Sequence, residues 1–116
     1  MPNAQFIDFK HVGGRADLTL KRPPRNVLNG QMLEEIVGVI EPLRDDDKLK
    51  VLVIRGSGIS FCGGIELEEL TTENVGLFMP NYTRLFDIIN GIRGVVIAGI
   101  RGEAYSAGLN LPVFPI

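Results

Sequence analysis

Apolar and polar positions divide the chain into short segments of distinct period. Gln5 to Lys10 and Arg15 to Leu20 are rich in β-formers or alternate in character, and Val12-Gly13-Gly14 lies between them. Gly-Gly supplies positive φ at little cost, so the pair predicts a β-hairpin. Lys21-Arg22-Pro23-Pro24 then ends strand pairing, because proline has no N–H to give to a ladder.

From Asn29, a good N-cap residue, the period changes. Met32, Leu33, Ile36, Val39, Ile40 and Leu43 recur at helical spacing and make one apolar face. Pro42 ends or distorts the last turn. Val51-Leu52-Val53-Ile54 is a continuous apolar run, the pattern of a strand buried on both faces. A second such run is Val95 to Ile100. Ile65 to Leu70 predicts one short helix. A longer one follows over Glu73 to Asn90, with Leu77, Phe78, Leu85, Ile88 and Ile89 as its apolar residues and Pro80 kinking or dividing it. The order is a hairpin, then helix–strand–helix–strand, an α/β pattern. Each buried strand runs straight into a glycine-bearing loop that opens a helix.

Composition narrows the function classes. The chain has 116 residues, enough for one domain or part of one, with 45% hydrophobic and 22% charged residues. Net charge is −2 and no basic stripe exists to neutralise phosphates, which argues against nucleic acid as a partner. Asp45-Asp46-Asp47, followed by Lys48 and Lys50, reads as a solvated turn. The single cysteine, Cys62, allows no internal disulfide and fits a reducing compartment. The first residues lack a secretory pattern, and the purest apolar run is too short to span a bilayer. A cytoplasmic protein without membrane partners is the expectation.

Strand, glycine loop and helix together present backbone N–H groups to an anion or a developing oxyanion. The first loop, Gly56-Ser57-Gly58-Ile59-Ser60-Phe61, lacks the third glycine of a dinucleotide fingerprint, and no phosphate-loop lysine motif occurs anywhere. The plainer alternative is that both loops are only tight turns packed against helices. With His11 the only histidine and distant in sequence, Cys62 reads as a small buried residue rather than a nucleophile. No His, Cys and acidic cluster has metal-ligand spacing.

Three segments in register carry a resemblance: Phe61-Cys62-Gly63-Gly64-Ile65-Glu66, Gly102-Glu103-Ala104-Tyr105-Ser106-Ala107-Gly108-Leu109-Asn110, and Leu20-Lys21-Arg22-Pro23-Pro24-Arg25-Asn26-Val27-Leu28-Asn29. The chain resembles the N-terminal half of the enoyl-CoA hydratase/isomerase (crotonase) family, over essentially all of residues 1–116, as a single partial domain. The wording of the third segment is also similar to the alicyclic dienoyl-CoA hydratases of aromatic-acid degradation.

The resemblance implies a crotonase-type ββα spiral (ClpP/crotonase-like) truncated to its first turns. It implies an acyl-CoA thioester as partner, with coenzyme A carried by the substrate and no resident cofactor. The amides of Ile65 and Ala107 would form a two-donor oxyanion hole, and hydration of a 2-enoyl-CoA would be the parent reaction. Arg25 and Val27 would line the coenzyme A pocket, with Gly63, Gly64, Leu67 and Gly108 beside the substrate. Asn110 stands where hydratases carry the water-activating glutamate, and an amide does not titrate near neutral pH. Glu66, at the usual aspartate position, is the substitute acid/base candidate, against the plainer role of a first-turn residue favoured by the helix dipole. Full-length relatives form homotrimers through C-terminal helices. The chain is therefore either a piece of such an enzyme or a shortened form. The shortened form would be a non-catalytic acyl-CoA-binding module or an inactive relic.

Overall fold

The computed structural model describes residues 4–23, 25–58, 62 and 64–99, without the side chain of Leu67. Four strands form one mixed sheet in the order β1 (Ile7–Val12), β2 (Arg15–Leu20), β3 (Val51–Gly56), β4 (Val95–Gly99). The β1–β2 hairpin is antiparallel, from Val12 opposite Arg15 to Ile7 opposite Leu20. Its turn rests on Gly13 at φ 61°, a left-handed conformation that costs glycine nothing. The strands β2, β3 and β4 run parallel, linked by the helices α1 (Gly30–Ile40) and α2 (Val75–Gly91).

Helix α1 starts as its sequence requires. Asn29 sits outside the helix in extended conformation, and its Oδ1 accepts the Met32 N–H at 2.8 Å. Met32, Leu33, Ile36, Val39 and Ile40 are buried along one face. The α-helix stops at Ile40, and Pro42 lies within a 3₁₀ turn, Glu41–Asp45, that carries Leu43 into the core. In helix α2 the buried residues are Phe78, Leu85, Ile88 and Ile89. Each aliphatic residue fully buried in this way contributes about 1.5–3 kcal/mol over its exposed state.

Four expectations are corrected. The runs at Val51–Ile54 and Val95–Gly99 are buried on one face only. Leu52, Ile54 and Val96 point into the core with Ala16, Leu18 and Leu20, while Val95 is 50% and Ile97 43% exposed. The reason is topological: strands added successively in one direction through right-handed crossovers place both helices on the same side of the sheet. On the open face Asp17 accepts hydrogen bonds from Arg15 and Arg55.

Pro80 does not divide α2, which runs unbroken from Val75 to Gly91 with the proline in its second turn. The cost there is confined to the bond its missing N–H would make to Gly76 and to the crowding of that carbonyl. Leu77 is not part of the apolar face: it is 79% exposed, on the side of α2 turned away from the core. Ile65 to Leu70 is not one helix either. Ile65 pairs with Leu28 in an isolated parallel bridge, and only Leu67–Leu70 forms a single 3₁₀ turn. Two backbone bonds to Leu28 outcompete a helix too short to nucleate alone.

Candidate active site

The parallel strands bring two of the motif segments to one edge. Leu20 stands opposite Gly56, and Arg55 opposite Gly99, so the chain leaves β2, β3 and β4 side by side at their carboxyl ends. The edge where parallel strands end is where open α/β sheets place ligands. The segments beginning at Lys21 and Ser57 are thus neighbours, and Ser57 N–H donates to Leu20 O at 2.8 Å.

Asn26 organises the first of these segments. It is buried and holds φ at 52°, a conformation uncommon outside glycine and easiest for asparagine. Its Oδ1 accepts the Arg22 N–H at 2.9 Å, its own N–H donates to Arg22 O at 2.9 Å, and its Nδ2 donates to Ser57 O at 3.2 Å. One side chain closes the turn and fastens it to the loop after β3.

The second segment docks on the first through Leu28. Leu28 N–H donates to Gly64 O at 2.8 Å and Glu66 N–H to Leu28 O at 2.8 Å. A parallel bridge uses the peptides on either side of its central residue, so Ile65 directs its own N–H and C=O away from Leu28. Among the described residues the Ile65 N–H has no hydrogen-bond partner. Gly64, at φ 110°, makes the preceding corner, a conformation strained for any residue with a Cβ.

Glu66 is ion-paired. Arg22 Nη1 lies 2.9 Å from Glu66 Oε2 and donates to Val27 O at 2.8 Å. The Arg22 guanidinium holds the Glu66 carboxyl below the ordinary glutamate range, outweighing burial. A carboxylate held ionised is a poor proton donor at neutral pH and a weakened base. Arg22, Pro23, Arg25, Val27 and Glu66 together line a cavity of about 240 Å³. Within the 3₁₀ turn, Glu69 Oε1 accepts the Gly30 N–H at 3.1 Å, a second cap on α1, in the wall of a larger cavity of about 530 Å³.

Of the residues singled out in the sequence, Arg25, Val27 and Glu66 share one cavity, and Gly64 and Ile65 lie in the adjoining loop. Leu67 opens the 3₁₀ turn. Gly63, Ala107, Gly108 and Asn110 lie outside the described residues, and so does the convergence of the two glycine loops. Cys62 is buried, and burial pushes its thiol up, as an inert core residue requires.

Sequence reasoning missed Arg22, Asn26 and Glu69 as site-forming residues. The Arg-Pro-Pro-Arg-Asn wording carried the first two, but their partners lie 31 to 44 residues away.

A family model described as enoyl-CoA hydratase/isomerase matches residues 12–115. A probable enoyl-CoA hydratase of Bacillus subtilis is 30% identical over 100 residues, covering 83% of this chain and 39% of that protein. A 4-chlorobenzoyl coenzyme A dehalogenase of Arthrobacter is 26% identical over 113 residues, covering 90% of this chain and 41% of the relative. The crystal structure of an enoyl-CoA hydratase/carnithine racemase from Magnetospirillum magneticum superposes with a TM-score of 0.83 at 27% identity, over 96% of this chain and 44% of that one. The chain thus spans about two fifths of the length of the relatives it matches.

Proposed function

This chain belongs to the enoyl-CoA hydratase/isomerase family and has the crotonase fold, and on that premise we propose that it binds an acyl-CoA thioester and stabilises the enolate of its acyl group. The observation that carries the reading is the Leu28–Ile65 bridge, which secures the amides around Ile65 and aims the Ile65 N–H elsewhere. As one oxyanion donor, paired with the Ala107 amide, it would take the charge that moves onto the thioester oxygen. A donor of this kind is worth about 2.7–4 kcal/mol in the transition state. The cavity bearing Arg25 and Val27 would receive the coenzyme A portion, and Gly63, Gly64, Leu67 and Gly108 would lie along the acyl end.

Hydration of a 2-enoyl-CoA is the parent reaction: water adds to the β-carbon, the electron pair shifts through the α-carbon to the thioester oxygen, and the α-carbon is then protonated. A second reading is favoured by Asn110 together with the ion-paired Glu66: acyl-CoA binding without turnover. Calorimetric titration of the chain with 2-butenoyl-CoA and with free coenzyme A, followed by a hydration assay, separates the readings. Tighter binding of the thioester with water addition supports the enzyme, and tighter binding alone supports the binding module. Equal affinity for both ligands contradicts the thioester site.

A further inference from the structure

We infer that Arg22 is a positioning residue for the thioester-binding amide, fixing the direction of the Ile65 N–H through Glu66 on one side and the Val27 carbonyl on the other. The inference rests on the acyl-CoA reading above and adds a residue to it.

The Ile65 side chain packs against the core, but its backbone is held lightly. Its bridge to Leu28 is one residue long and has two hydrogen bonds. On one side stands Gly64 at φ 110°, whose backbone has the widest freedom of any residue. On the other stands Glu66, beginning a single 3₁₀ turn without a side-chain cap. Such a segment can rotate about its bridge, and a rotated peptide would not point its N–H at a carbonyl.

Arg22 removes that freedom. Its Nη1 bonds Glu66 Oε2 at 2.9 Å and Val27 O at 2.8 Å, and Val27 directly precedes Leu28. Arg22, Glu66, Leu28 and Val27 therefore close a ring around the bridge. Arg22 is itself held: its N–H and C=O are both bonded to Asn26, and its guanidinium lies 5.6 Å from the centre of the Phe6 ring. Its side chain is 28% and that of Glu66 32% exposed, so the pair is screened less than a surface pair. A planar guanidinium fits two acceptors and a ring at once, which an ammonium on a flexible stem does not.

The test uses the full chain and cinnamoyl-CoA, a conjugated thioester whose absorption moves to the red when its carbonyl is polarised. The wild-type chain is expected to shift the bound probe. Read with the probe saturating, Arg22→Met and Glu66→Gln should each lose about half the shift or more, and Arg22→Lys should fall between. The double variant Arg22→Met/Glu66→Gln should shift no less than Arg22→Met, because Glu66 acts through its contact with Arg22.

Full shift in the Arg22 and Glu66 variants overturns the inference and leaves the thioester site standing. A shift that is low only at sub-saturating probe and full once the variants are saturated also overturns it, by making Arg22 a ligand contact and no more. A bound probe unshifted by the wild-type chain contradicts the oxyanion role itself, and the inference falls with it. If Arg22→Met does not fold, Arg22→Lys and Glu66→Gln carry the same comparison.

Discussion

Asn26 and Ser57 join two loops that are 31 residues apart in the chain: the Asn26 Nδ2 donates to the Ser57 carbonyl at 3.2 Å, from a buried side chain on a left-handed backbone. Asn26→Ala removes that bond and the one to the Arg22 N–H, leaves their partners unsatisfied, and keeps a φ that alanine resists. A loss of about 2–4 kcal/mol in unfolding free energy is expected. Asn26→Gly loses the same bonds without the strain and should cost less. Urea unfolding of the two variants gives the order, and an alanine variant as stable as the glycine one would contradict the strain.

Two side chains cap α1 from different directions. Asn29 takes the Met32 N–H and Glu69 takes the Gly30 N–H. Asn29→Ala should cost about 1 kcal/mol. Glu69→Ala should cost about 0.3–1 kcal/mol and lose part of that at high salt, since its benefit includes charge at a helix N-terminus. The two effects should add approximately, because they satisfy separate donors. Thermal unfolding in low and high salt checks all three statements.

Glu35 sets an acid limit on stability. It is buried in α1, and burial pushes its carboxyl up. Hydrogen bonds from the N–H groups of Phe6 at 2.8 Å and Gln5 at 3.0 Å, and from the Gln31 amide, outweigh this and leave it below the ordinary glutamate range. A folded-state value below the unfolded one means that the unfolded chain binds the proton first as acid is added. The stabilisation is therefore fully present above about pH 4.3, the unfolded glutamate value, and is lost as pH falls through the folded one. Glu35→Gln should destabilise the chain at pH 7 and flatten the acid limb of its stability curve. Unfolding measured from pH 7 to pH 3 tests this, and parallel curves for both proteins would contradict it.

Cys62 should react slowly with a disulfide reagent in the folded chain, because its thiol is buried and its ionisation is disfavoured. In denaturant the same thiol should react at the rate of a free cysteine. Rapid labelling of the native chain would contradict the inert assignment.

Much of the fold was legible from local signals. Gly13-Gly14 gave the hairpin, Asn29 the start of α1, and Pro42 its end, because each acts on its own backbone. Other features depended on tertiary position. A run such as Val51-Leu52-Val53-Ile54 is equally apolar whether one face or both are covered, and only the placement of α1 and α2 on one side decides it. Pro80 offered a break that the helix absorbs near its start.

At the proposed site, the loop wording singled out Ile65, Arg25, Val27 and Glu66. It did not reveal that Glu66 is bound to Arg22, because an ion pair across 44 residues leaves no trace in spacing.

The acyl-CoA reading meets its most direct test at the Ile65 amide. The ¹H–¹⁵N signal of Ile65 is followed while the chain is titrated with 2-butenoyl-CoA and, separately, with free coenzyme A. A donor to the thioester oxygen should move strongly downfield with the thioester and little with coenzyme A. An Ile65 signal that stays in place while 2-butenoyl-CoA binds, or that moves equally with both ligands, would contradict the oxyanion role.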